Sequence, residues 1–187
     1  IPSLMEDLRD EGLSITVHVH EGESTLSLQK LRERGLDLII SRSEYQAPEL
    51  EKHAILDEPL QVMLPPGHPQ ADSPSVRLQD LRHDHFLLHR SPVGTGISDV
   101  VLRACQQIDF APTVVYWGGE TLPMLLMAQR SLGVAFAPQS FEQLVPGLKP
   151  LAPELRTHLN VAWPRLAGLT PVASRVRDLI LERFAGI

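Results

Sequence analysis

The chain has one cysteine, Cys105, in 187 residues. It has no partner for an internal disulfide, so a reducing cytoplasm is its natural compartment. No apolar run approaches the length of a membrane span, and no charged-then-apolar leader opens the chain, so no membrane partner is expected. Positive charge is scarce: 17 Lys and Arg face 23 Asp and Glu, for a formal net charge of −6. Phosphate binding rests on concentrated positive charge, so this stretch is not expected to grip nucleic acid itself. Catalytic signatures are thin as well. There is no Gly-x-Ser-x-Gly elbow, no His-Glu-x-x-His and no Gly-x-x-x-x-Gly-Lys-Ser/Thr. Histidines recur (His18, His20, His83, His85, His89), but a zinc site needs three or four ligands converging on one point. His18 and His20 read instead as the outward polar face of a strand opposite Val17 and Val19. No catalytic residue, no metal and no cofactor is therefore assigned.

What is present is core-forming sequence. Hydrophobic residues make up 43% of the chain, enough for one ordinary domain or two small ones sharing a hinge. The stretch from Ile15 to Ile40 organises the rest. Ile15, Val17 and Val19 alternate with polar residues at strand period. Ser24 is placed to cap a helix, Leu28 and Leu31 give that helix its apolar stripe, and Gly35 is expected to supply the left-handed residue that closes it. Leu36 to Ile40 then runs almost wholly apolar, as a parallel strand buried on both faces would. The pattern predicts a βαβ unit, whose turn from Glu21 to Thr25 lies where open α/β sheets hold small ligands.

The chain opens on a helix, Ile1 to Asp10, where such a fold should open on a strand. Ser41 to Lys52 reads as a loop, and His53–Glu58 and Leu60–Leu64 as strands. Pro65-Pro66-Gly67-His68-Pro69 is a rigid turn, and Val76–Leu81 a short helix or turn. Three strand–turn units follow: His85–His89 with the glycine-rich turn Arg90–Gly96 and a helix over 97–108, then Thr113–Trp117 with a helix over 120–131, then Gly133–Ala137 stopped by Pro138. His158–Trp163 is a further strand, and Thr170-Pro171 starts a last helix that ends near Phe184.

Three blocks in this order resemble the effector-binding domain of LysR-type transcriptional regulators. They are Glu21-Gly22-Glu23-Ser24 with Leu31-x-x-x-Gly35-Leu36-Asp37-Leu38, then Leu64-Pro-Pro-Gly-His-Pro69 with Val76-x-Leu78-x-Asp80-Leu81, then Gly133-Val-Ala-Phe-Ala-Pro138. The similarity covers essentially the whole chain. The chain departs from the family pattern where Arg34 and Ser131 stand in place of glycines, and where Gln70 stands in place of Leu. The family's winged helix-turn-helix, its linker helix and the first strand of its effector lobe are expected to lie outside this chain.

The resemblance implies an α/β fold of two Rossmann-like lobes joined by crossover strands, similar to periplasmic solute-binding proteins. Residues 1–60 and 160–187 would form the first lobe and residues 61–159 the second. It implies a binding module for a small effector, often a carboxylate, held between the lobes to control transcription. The partners it implies are that effector, a second copy in a homodimer (a tetramer in the full-length protein), and DNA only through the N-terminal domain. In the dimer the helix at Pro2–Arg9 would meet the partner's helix at Glu120–Ser131. The alternative on the same body is a solute-binding protein of a transport system.

Candidate effector-binding residues follow from the turns. Ser24 maps onto the family's hydroxyl at the second strand–helix turn, with Glu23 and Thr25 beside it. Arg42, just past a strand, is placed to pair with a carboxylate by two parallel bonds. Ser91, Val93 and Thr95 occupy the turn that faces the cleft in the family. Glu120 and Thr121 start the next helix from the same side. Plain structural roles compete with each: a cap for Ser24, an exposed surface charge for Arg42, a flexible turn for Ser91–Thr95, and a helix-dipole preference for Glu120.

Overall fold

The computed structural model describes residues 2–12, 15–22, 24–43, 47–90, 96–166 and 168–185. They form two compact units: residues 1–41, 45–56 and 159–187, and residues 42–44 and 57–158. The division falls between Leu56 and Asp57 and between His158 and Leu159, so Leu60–Leu64 lies inside the second unit.

In the first unit, helix α1 (Pro2–Asp10) packs on the terminal helix α5 (Pro171–Phe184). Arg183 binds Asp7 at 2.5 Å, and Arg175 binds Glu11. Helix α5 opens as its sequence dictates: Thr170 Oγ1 accepts the Ala173 amide at 3.1 Å, and Pro171 occupies the first turn. Helix α2 (Ser24–Arg32) covers strand β1 (Ile39–Ser41) through Leu31 and Ile39. On β8 (Arg156–Pro164), Trp163 carries His53 stacked at 5.2 Å and the Arg177 guanidinium at 5.2 Å.

The βαβ expectation fails here. Residues 15–22 form no regular element, and Val19 is 54% exposed. Strand β1 is three residues long and runs antiparallel to β8, with Ile39 opposite Ala162 and Ile40 47% exposed. Apolar alternation is necessary for a strand but does not supply the neighbouring backbone that completes its ladder. The close of α2 also differs from expectation. Gly35 donates to Lys30 O at 2.8 Å and Arg34 to Leu31 O at 3.2 Å, so the left-handed position is Arg34, at φ 59°.

The second unit is a mixed sheet in the order β3–β7–β2–β6–β4–β5, flanked by helices. Its members are β2 (Leu50–Met63), β3 (Val76–Arg77), β4 (His85–His89), β5 (Thr113–Gly118), β6 (Val134–Pro138) and β7 (Leu148–Ala152). Strand β4 runs parallel to both β5 and β6, while β2 runs antiparallel to β6 and β7. Residues expected as two strands, with a loop before them, are one strand, β2, that starts at Leu50. Strand β7 escapes a pattern reading because Lys149 and Pro150 interrupt it.

Period-two alternation sorts the side chains onto the two faces. Leu60, Val62, Phe86, Leu88, Val134 and Phe136 point to helix α3 (Ile97–Gln107) and its Val101 and Cys105. Met63, Leu87, Ala135 and Ala137 point to helix α4 (Thr121–Ala128), which buries Met124, Leu125 and Ala128. Alanine on that face of β6 lets α4 sit close to the sheet. Gly133 serves the same strand: its φ is 149°, and a Cβ there would lie 2.5 Å from the His85 carbonyl oxygen.

Candidate functional site

Strands β4, β5 and β6 are parallel, so their carboxyl ends emerge along one edge of the second unit's sheet, where α3 and α4 begin. Strand β2 enters its sheet pairing at that edge, because Leu60 lies opposite Pro138. Open α/β sheets place ligands at this kind of edge, since chain direction reverses there and helix starts present unpaired amides.

Two polar groups occupy it. The first centres on His89, the last residue of β4. Its main-chain N–H donates to Ser98 Oγ at 2.7 Å, and its Nε2 is hydrogen-bonded to Thr121 Oγ1 at 2.9 Å. Ser98 is only 1% exposed. The Arg90 amide, next along, donates to Gly118 O at 2.7 Å and joins the ends of β4 and β5. Burial pushes the His89 imidazole down to about 4, so it is neutral at pH 7.

The second group centres on Glu58, whose side chain is 8% exposed. Arg42 Nη2 donates to Glu58 Oε1 at 2.5 Å. Ser140, just past β6, donates its amide to Oε2 at 2.7 Å and its hydroxyl to Oε1 at 3.1 Å. Arg42 is itself largely buried, with 17% of its side chain exposed, and burial lowers its pKa more than Glu58 restores it. Arg42 Nη1 is buried and makes no hydrogen bond among the described residues.

Of the residues singled out in the sequence, Thr121 and Arg42 stand in these two groups. The end-on fork expected of Arg42 is half taken, since Glu58 holds Nη2, while Nη1 makes no hydrogen bond among the described residues. Glu120 precedes α4, is exposed, and makes no side-chain cap to that helix. Thr25 is exposed on α2 of the first unit. Glu23, Ser91, Val93 and Thr95 lie outside the described residues, as does the side chain of Ser24. His89, Ser98, Glu58 and Ser140 were not legible as site residues. One signal existed for Glu58: an acid inside an apolar strand needs a cation once buried.

Among the described residues, no group of three or more His, Cys, Asp or Glu is placed to hold a metal ion. No described helix is long and apolar enough to cross a membrane. Burial pushes the Cys105 thiol up to about 12, which leaves it unreactive at neutral pH.

Residues 1–185 match the LysR substrate binding domain. The chain belongs to that family. Its relatives include the HTH-type transcriptional regulator YnfL of Escherichia coli strain K12, 27% identical over 172 residues that cover 90% of this chain and 58% of YnfL. This LysR-family chain spans between 58% and 64% of the length of such curated relatives. The effector binding domain of QuiR in complex with shikimate superposes with a TM-score of 0.83 at 17% identity, covering 98% of this chain and 90% of that one. The BenM effector binding domain with its effector benzoate does so with a TM-score of 0.78 at 20% identity, covering 99% and 86%. The LysR-family fold here is the mixed α/β, two-lobed, periplasmic-binding-protein-like fold of such effector domains.

Proposed function

We propose that this chain is the effector-sensing part of a cytoplasmic LysR-type transcriptional regulator, binding a small metabolite without altering it. DNA would be reached through an N-terminal domain outside the chain. The observation that carries this reading is the polar edge of the second unit within a chain matched to the family from end to end. His89, Thr121 and Ser140 stand along the edge formed by the carboxyl ends of β4, β5 and β6, with Glu58 of the incoming β2 and its partner Arg42 beside them, where such folds hold ligands.

The same geometry argues against chemistry at this edge. A general base works best with a pKa near the operating pH, and His89, at about 4, lies well below it. Its relatives are transcriptional regulators, which supports recognition over turnover.

We also propose a homodimer through α1 and α4. Leu122 and Leu126, one turn apart on α4, are 43% and 48% exposed, an arrangement that a partner helix would cover.

A thermal-shift panel of small organic acids that includes shikimate and benzoate tests the function. A ligand that binds only the folded chain raises its melting temperature saturably. The expected result is at least one such compound, with its affinity weakened about tenfold by Thr121→Val, the usual loss for one hydrogen bond. A ligand whose affinity is untouched by Thr121→Val and Ser140→Ala together would move the site away from this edge.

A further inference from the structure

We propose that Arg156 is an electrostatic latch on the two strands that carry the chain from one unit to the other, and that ionic strength sets how firmly it closes. The latch is independent of which ligand the domain takes.

Strand β2 passes the division unbroken between Leu56 and Asp57, and β8 passes it between His158 and Leu159. The two strands are neighbours in the sheet. When a chain of two units bends, a few residues absorb the change in backbone angles. Asp57 is the first residue of the second unit on β2, and side chains from that end of β8 converge on it. Arg156 Nε donates to Asp57 Oδ1 at 3.0 Å and to Oδ2 at 3.1 Å. Its Nη2 donates to the Asp57 main-chain oxygen at 3.1 Å, and its Nη1 to Glu154 Oε1 at 2.6 Å. His158, two residues on and on the same side of β8, brings Nε2 to 3.6 Å from Asp57 Oδ1.

An ordinary surface ion pair contributes little, because water screens it and long side chains lose freedom in holding it. The bond to the Asp57 carbonyl separates this group from that case. A carboxylate swings with its own side chain, whereas a carbonyl moves only when the backbone turns. One planar guanidinium grips both, and Glu154 fixes its far end. It therefore ties β8 to the backbone of β2 at the crossing itself. The four side chains are each between 43% and 58% exposed, so dissolved ions reach them. The Debye length falls from about 10 Å at 0.1 M salt to about 3 Å at 1 M, which weakens the charged part of the grip.

Hydrogen–deuterium exchange of the whole chain, read by mass spectrometry on peptides spanning 54–60 and 155–162, tests the latch. Arg156→Gln is expected to speed exchange in both peptides about two- to fivefold, with no change over β4 and β6 and little change in melting temperature. Arg156→Lys keeps the charge without the fork and is expected to behave like Arg156→Gln. Asp57→Asn added to Arg156→Gln is expected to speed exchange little further, because the two side chains act as one unit. Salt at 1 M is expected to narrow the gap between wild type and Arg156→Gln. Unchanged exchange in Arg156→Gln would overturn the proposal, as would full protection in Arg156→Lys. So would additive effects in the double variant, a rise spread evenly over both units, or a gap that salt leaves intact.

Discussion

His89 Nε2 lies 2.9 Å from Thr121 Oγ1, tying the last residue of β4 to the first residue of α4. The burial of this imidazole costs the fold its tolerance to acid. The imidazole is held down to about 4 by burial, against an ordinary value of 6.5. Between those values the unfolded chain takes up a proton that the folded one refuses. The associated stability is therefore complete above pH 6.5 and is lost as pH falls toward 4, by up to about 3 kcal/mol. Urea unfolding of wild type and His89→Gln at neutral pH and near pH 4.5 measures it. The variant is expected to start about 1 kcal/mol lower at neutral pH, through the lost contact, and then to fall less on acidification. Identical pH dependence in both proteins would contradict this.

Arg34 and Ser131 each sit in the left-handed position that ends a helix, at φ 59° and 62°. Ser131 repeats the pattern of Arg34: Leu132 donates to Met127 O at 3.2 Å, and Ser131 to Ala128 O at 3.0 Å. Both residues are exposed, so neither has much packing to lose. Relief of left-handed strain minus the added chain entropy of glycine leaves Arg34→Gly and Ser131→Gly each stabilising by about 0.5–1 kcal/mol. Differential scanning calorimetry is expected to show a melting temperature higher by a few degrees for the pair. A lower one would refute the account.

Gly133 makes the opposite case. Its φ of 149° and the His85 carbonyl, 2.5 Å from where a Cβ would stand, leave no room beside β4. The obstacle is backbone, which cannot turn aside like a side chain. Gly133→Ala is expected to destabilise by more than about 2 kcal/mol through overpacking and strain, read as a lower midpoint in urea.

Leu126 is 48% exposed on α4 and makes a direct test of self-association. Light scattering at micromolar concentrations is expected to give a dimer mass for the wild type. For Leu126→Glu it should give a monomer mass with an unchanged melting transition when diluted. Equal masses for both proteins would remove α4 from the interface.

The second unit was the more legible of the two. Its strands β4, β5 and β6 and helices α3 and α4 carry apolar periods, turns of small or hydroxylated residues follow β4 and β5, and β5 and β6 stop at Gly118 and Pro138. The first unit was less so, because the same alternation at Ile15–Val19 pairs with no strand among the described residues and remains irregular. At the site, Thr121 and Arg42 stood out by their places after strands. Their partners did not, since Glu58 and Ser140 are 82 positions apart and His89 and Thr121 are 32 apart.

Family resemblance, the order of most elements and the apolar strand faces are readable from the residues alone, because these depend on side-chain period and turn chemistry within a few residues. Strand direction at β1, the residues that close the helices left-handed, and the pairing of Arg42 with Glu58 and of His89 with Thr121 emerge in the folded chain. Those outcomes depend on burial and on contacts between distant positions, and it is the loss of water there that holds the His89 imidazole and the Arg42 guanidinium below their ordinary pKa values.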